Sequence, residues 1–214
     1  MPGLPSLALN WRQFPSPESK AVDNSWRLSD GTAVRIRAVK PDDGPLLQEL
    51  VASLSLTSRY RRFFYPVHEL TPDLLARFTR ADPAGSMTLL AVIRDQGREV
   101  AIGMAQCVAE PYPEVGEFAV VVADAWHRAG VATRLLRKLI CIARAAGIER
   151  LEGDVLSENE PMLRLLAGMD FGFRSHPDGA YLTKAHRELV SAAWKCSPLA
   201  GLVAPKMAPT LIRA

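Results

Sequence analysis

The chain has 214 residues, 48% of them apolar and 23% charged, which excludes a disordered or fibrous polymer and leaves room for one domain with a real core. Its 26 basic and 23 acidic residues give a net charge of +3, too balanced to argue for nucleic acid or an anionic membrane surface as a partner. No apolar run reaches the roughly 18 residues of a membrane-spanning helix, and the start of the chain has no charged-then-apolar leader pattern. Cys107, Cys141 and Cys196 lack C-x-x-C spacing, which argues against a zinc site or a disulfide framework. A reducing, cytoplasmic setting is the default expectation.

Residues 1–24 carry four prolines and little periodicity and read as a flexible arm. Residues 25–186 read as the folded domain. Residues 187–214 read as a short helix, beginning near His186 and ending at Trp194, followed by a Pro/Ala-rich tail. Within the domain, Trp26 to Val39 alternates around an Asp30-Gly31 turn, and Ala33 to Val39 is the first strand. Asp42 and Asp43 suit the acidic first turn of a helix on which Leu46, Leu47, Leu50, Val51 and Leu54 recur. Ser55 to Tyr65 is a second helix and Thr71 to Phe78 a third, with Thr71 as cap and Pro72 in the first turn. Arg59, Arg61 and Arg62 read as a solvated face over Tyr60, Phe63 and Phe64, or else as a basic rim for an acidic partner or a phosphate.

Met87 to Ile93 and Val100 to Ala109 form a hairpin across Asp95-Gln96-Gly97. A Pro111-Tyr112-Pro113 turn leads to the stretch around which the chain is organised, Glu117 to Leu139. Phe118 to Ala123 is a valine-rich buried strand. A short turn, Asp124 to Ala129, precedes a helix with Val131, Leu135, Leu136, Leu139, Ile140 and Ala143 on one face. Gly130 lies at that helix start within His127-x-x-Gly130-x-Ala132. Small residues there let a ligand approach the backbone, and the first helical turn offers amides with no internal partner, a natural seat for an anion such as phosphate. Arg150 to Leu156 is a further strand, about Asn159 to Gly168 a further helix, and Tyr181 to Lys184 a last strand.

The run of strand, turn, His127-x-x-Gly130-x-Ala132 and helix resembles the acyl-CoA pyrophosphate site of the GNAT superfamily of N-acetyltransferases, with His127 where Gln or Arg is usual. Val155-Leu156-x-Glu158-Asn159-x-Pro161-Met162-Leu163, followed by Gly168-Met169-Asp170-Phe171, resembles that superfamily's later strand-plus-helix motif. Asp30-Gly31-Thr32 with Arg35-Ile36-Arg37, Ser58-x-Tyr60-x-Arg62-Phe63-Phe64 and Glu117-Phe118-Ala119 resemble the acetyltransferase domain of bacterial protein-lysine acetyltransferases. The resemblance spans roughly Arg27 to Lys184. It implies an α/β fold, a mixed central β-sheet flanked by helices on both faces.

It also implies a site. The strand after Glu117 is expected to splay from its neighbour, so that the main chain of Val120, Val121 and Val122 meets the pantetheine arm of acetyl-CoA. His127, Arg128, Ala129, Gly130, Val131, Ala132 and Thr133 would cradle the pyrophosphate, and Asn159 would bond the cofactor arm. Acetyl-CoA enters as acyl-donor substrate, with no metal. Glu117 is the expected general base, since Ala119, Val121 and Ala123 share its face and would raise its pKa by desolvation. A base helps because only about one lysine in a thousand is neutral near pH 7.4. The acceptor is a primary amine, with a protein lysine favoured and small amines open. A non-catalytic acyl-CoA-sensing module is the alternative from another class. Two departures stand out: Leu166 replaces the tyrosine that protonates the leaving thiolate in many GNAT enzymes, and Asp170 replaces a glycine. The oligomeric state is left open.

Overall fold

The computed structural model describes residues 22–79, 85–109 and 114–189. The proline turn at 111–113, most of the expected N-terminal arm and the tail from residue 190 onward lie outside the described residues. Eight strands form one sheet: β1 (Asn24–Arg27), β2 (Ala33–Ala38), β3 (Ser86–Asp95), β4 (Arg98–Val108), β5 (Val115–Val122), β6 (Arg150–Leu156), β7 (Gly172–Ser175) and β8 (Leu182–Glu188). Their spatial order is β1-β2-β3-β4-β5-β6-β8-β7. Every neighbouring pair is antiparallel except β5 and β6, which run parallel. Five helices complete the fold: α1 (Gly44–Ser53), α2 (Leu56–Phe63), α3 (Pro72–Thr79), α4 (Val131–Ala145) and α5 (Glu160–Ala167).

Side chains alternate across the strands, and the alternation builds two cores. Leu89 and Ala91 of β3 pack with Leu135, Leu136, Leu139 and Ile140 of α4 and Leu166 of α5. The intervening Leu90 and Val92 pack with Leu47, Leu50 and Val51 of α1 and with Phe63 and Phe78 of α2 and α3. The expected mixed sheet with helices on both faces is the fold found. The apolar face read for α4 is fully buried, and truncating one of its leucines would cost about 2–5 kcal/mol.

Local chemistry sets the turns. Gln96 and Gly97 join β3 to β4 with φ of 49° and 84°, the two left-handed residues of a type I′ hairpin. Asp170 does adopt the left-handed conformation at φ 59°. Asp43, read as part of an acidic first turn, instead precedes α1 and turns its carboxylate to the Lys40 amide at 2.6 Å and to Arg37 at 2.6 and 2.8 Å. Arg37 also reaches Glu99 at 2.8 Å, making a partly buried three-residue ion network.

Several expectations are corrected. Val22 is in the core and Asn24 opens β1, so the domain begins before residue 25. β8 runs to Glu188 and Leu189 is buried in the core, so a strand stands where the helix from His186 was expected. Its last residues pair with β6, Arg150 to Glu188 and Leu151 to Arg187, and Arg187 donates to the Met169 carbonyl. β7, at the sheet edge beyond β8, was not expected at all. Cys107 is a buried free thiol that desolvation pushes up to about 12, whereas Cys141 is disulfide-bonded rather than free.

Candidate functional site: a splayed strand pair and the cavity beside it

β5 and β6 are joined over three residue pairs, Val115 with Arg150, Gly116 with Leu151 and Glu117 with Glu152. After Glu117 they part. β5 keeps its antiparallel partner β4 up to Val122 paired with Gly103, so Phe118 to Val122 are bonded as a strand on one side only. Gly153 explains part of the tight geometry at the split, because a Cβ there would lie 2.9 Å from the Phe118 carbonyl oxygen and 2.8 Å from its ring. The opening belongs to a cavity of about 800 Å³. Val120, Val121 and Val122 line it, as do His127, Arg128, Gly130, Val131, Ala132, Thr133 and Asn159. Ala129, the remaining residue expected in the cradle, is an exposed residue of the turn between them.

A single 3-10 turn, Asp124–Trp126, carries the chain from β5 to α4. Arg128 at φ 61° and Gly130 at φ 79° give the sharp entry to the helix, and no heavy atom stands within 4 Å of where a Gly130 Cβ would be. That open backbone is a close-approach surface. The first bond closing on α4 is Arg134 N–H to the Gly130 carbonyl at 3.1 Å, and the preceding amides of the first turn have no carbonyl four residues back. Two amides of the expected cradle are committed elsewhere, His127 to Asp124 at 3.1 Å and Ala129 to Trp126 at 3.4 Å. The His127 ring is also committed: its Nε2 donates to the Val122 carbonyl at 2.9 Å, fixing the end of β5 rather than offering itself to an anion. Asn159 caps α5 by accepting from the Met162 amide at 3.4 Å and is buried where it lines the cavity.

Glu117 lines the cavity at the point where the strands part. It is exposed, not covered as the apolar Ala119, Val121 and Ala123 on its face suggest. Val121 and Ala123, on its face, pack further along the strand into the core shared with α1, α2 and α3. Leu166 is fully buried in the α4–α5 core and gives the cavity no acid at that position. Among the described residues, no cluster of three His, Cys, Asp or Glu side chains could hold a metal ion, and no helix is long and apolar enough to cross a membrane.

At the far wall of the cavity the arginine run does not form the solvated face that was the first of its two readings. Arg62, expected on a solvated face, stacks over Phe63 at 5.0 Å and Phe78 at 5.6 Å and lines the cavity. Burial pushes its guanidinium down to about 10 against the opposing pull of Glu117. Arg59 points the other way and donates to the carbonyls of Leu54 at 3.0 Å and Ala52 at 2.9 Å, closing the α1–α2 corner. α2 itself is pinned to the β5 end, since Asp124 accepts from the Ser55 amide at 2.9 Å, the Ser55 hydroxyl at 2.7 Å and the Ser58 hydroxyl at 2.8 Å. Burial pushes the Asp124 carboxyl up, but these bonds outweigh it and hold it below the usual carboxylate range.

Comparison with known proteins places this geometry. The model of the acetyltransferase (GNAT) family matches residues 53–173. An acetyltransferase of Pseudomonas aeruginosa is 28% identical over 151 residues, covering 71% of this chain and 81% of that protein. The GNAT domain of S. lividans PAT superposes with a TM-score of 0.70 at 25% identity, over 79% of this chain and 98% of that one. The structure of yncA from Salmonella typhimurium with its cofactor acetyl-CoA superposes at 0.60 and 21% identity, over 75% of this chain and 96% of that one. At that identity the likeness speaks to the fold alone.

Proposed function

The chain belongs to the acetyltransferase (GNAT) family, and on that premise we propose that it moves an acetyl group from acetyl-CoA to a primary amine, with a protein lysine as favoured acceptor and Glu117 as general base. The observation that carries the reading is the separation of β5 from β6 directly after Glu117, continuous with the open backbone at Gly130 and the first turn of α4 in one cavity. The site fits acetyl-CoA on its own terms. Val120 to Val122 offer strand backbone to the pantetheine amides, and the Gly130 to Thr133 turn offers unpaired amides to the pyrophosphate. The lysine preference rests on the three segments that resemble protein-lysine acetyltransferases, around Asp30, Ser58 and Glu117.

In this reading the acceptor arrives mostly as an ammonium ion. Glu117 accepts one proton and passes it to water, the freed amine nitrogen forms a bond to the thioester carbonyl carbon, and as the C–S bond breaks and the CoA thiolate leaves, the second N–H proton of the adduct passes to Glu117. Exposure of Glu117 lets the proton pass on to water after each turnover. A thiol with a pKa of about 8.5 is a tolerable leaving group, so the leucine at position 166 does not block the reaction. General-base assistance is worth about 10²–10⁴-fold, and Glu117→Gln should lose about that much at neutral pH while its acetyl-CoA affinity stays close to the parent's. The test is thiol release from acetyl-CoA against panels of proteins, peptides and small amines. Equal rates for parent and Glu117→Gln between pH 6 and 9 would remove Glu117 from the mechanism. Turnover confined to small amines would remove the lysine preference.

A further inference from the structure

The α2–α3 end of the cavity carries cations that acetyl transfer alone does not use. Arg61, Arg62 and Arg77 all line it. Arg62 is the best placed of them, held over two aromatic rings and half-buried. A guanidinium has five N–H donors, yet Arg62 makes one long hydrogen bond, 3.5 Å to Gln106 Oε1, and its buried Nε has no partner. Among the described residues no carboxylate lies within 4.0 Å of it, and Glu117 acts on it only through space. Such a cation, partly desolvated and short of acceptors, favours an incoming anion.

Position separates it from the phosphate end. Gln106 pairs with Ala119, two residues beyond Glu117, whereas the α4 turn begins after Ala123. At about 3.3 Å per strand residue, Ala119 and Ala123 are roughly 13 Å apart. Arg62 therefore stands beside Glu117, where the acceptor amine must come, and not beside the pyrophosphate cradle.

We propose that Arg62 binds a carboxylate of the acceptor, so that the substrate class of this enzyme is amines that carry a carboxylate close to the reacting nitrogen. The positive end of the acceptor meets Glu117 while its negative end meets Arg62 through a two-pronged N–H···O contact. A lysine next to an acidic side chain in a protein and a small amino acid share this chemistry. The inference rests on the acetyl-transfer reading, since without transfer there is no acceptor.

The experiment measures thiol release by the parent enzyme on two matched pairs. One is a lysine peptide with Glu or Gln beside the lysine, and the other is an amino acid or its amide. The expected result is that the carboxylate member of at least one pair is turned over with kcat/KM higher by about tenfold or more, the scale of a hydrogen bond to a charged group. That preference should vanish in Arg62→Met and survive in part in Arg62→Lys, with melting curves confirming that each variant folds. The parent comparison needs no variant, so a poorly folded Arg62→Met leaves the test intact. Preference in the peptide pair assigns an acidic protein site; preference in the amino-acid pair alone assigns a small acceptor and overturns the lysine reading while keeping the anchor. Equal turnover within both pairs, or a preference that persists in folded Arg62→Met, overturns the anchor alone. No thiol release with any acceptor overturns the transfer reading and the anchor together.

Discussion

Replacing Asp124 with alanine tests whether the acceptor wall is tied to the strand that leads into the cofactor turn. Three bonds from the first turn of α2 end on this carboxylate, at 2.7, 2.8 and 2.9 Å. At a net worth of about 1 kcal/mol each they sum to about 3 kcal/mol, and the stranded hydroxyl of buried Ser58 adds a further penalty of about 1–3 kcal/mol. Against this, Asp124 is half-exposed and water can replace it at Ser55, which lowers the net cost to about 2–3 kcal/mol. For a chain of this size each kcal/mol is worth about 2–4 °C, so Asp124→Ala should melt about 4–12 °C below the parent by circular dichroism. Ser58→Ala removes one end of the same contact, so the double variant should cost about 1 kcal/mol less than the two single changes added. A melting point indistinguishable from the parent's, or strict additivity in the cycle, would refute the coupling.

Three further outcomes can be checked on the same material. Gly130→Glu adds a negative side chain beside the unpaired amides of α4 at a residue with φ 79°, and calorimetry should show acetyl-CoA binding abolished; unchanged affinity would count against the cradle. Gly153→Ala drives a methyl group toward the Phe118 carbonyl and ring, so thermal melts should show a loss of about 1–3 kcal/mol, and a neutral result would mean the strands are not tightly fixed there. Asp43 and Asp124 are both held below the usual carboxylate range, the first because bonds from Arg37 and the Lys40 amide outweigh burial. Carboxyls depressed in the folded state add stability above their unfolded pKa and lose it as pH falls through the folded one. Denaturant midpoints should therefore be insensitive to these two groups above about pH 5 and drop below about pH 4, with the Asp43→Asn, Asp124→Asn variant showing a shallower acid limb.

Much of this was legible in the sequence, for identifiable reasons. The α4 face and the β3–β4 hairpin follow from period and turn chemistry, which act locally, and the structure keeps both. The Gly130 turn and the resemblance around it point to residues that line the cavity. What failed were inferences about surroundings. Glu117 was given a desolvated setting because its strand neighbours are apolar, but strand alternation fixes which face a side chain shares and not how far along that face the covering helices extend. Arg59 and Arg62 looked alike as members of a charge run, and only the packing of α3 against α2 separates a carbonyl clamp from a cavity wall. β7 and the end of β8 carry no alternating apolar pattern. They exist because β8 supplies partners on both sides, with Gly172 set against His186 and Arg150 against Glu188.

The parting of β5 from β6 also bears on how the sheet holds together. Strands β1 to β5 and strands β6 to β8 are two blocks whose ladder is three residue pairs long, extended by bonds from the Glu149 and Arg150 amides to the Glu114 carbonyl, with helix α4 as the covalent bridge across the seam. An exposed strand edge is normally managed at the outside of a sheet, where charge or a bulge discourages pairing. Here the unpaired length, residues 118–122 of β5, lies in the middle of the sheet. On the proposed reading, a pantetheine arm laid along it would act as a missing strand. Binding at a hundred times Kd adds about 2.7 kcal/mol to the folded state, delivered at the seam itself, so the amides of residues 118–122 should gain the most protection from solvent exchange when the donor binds.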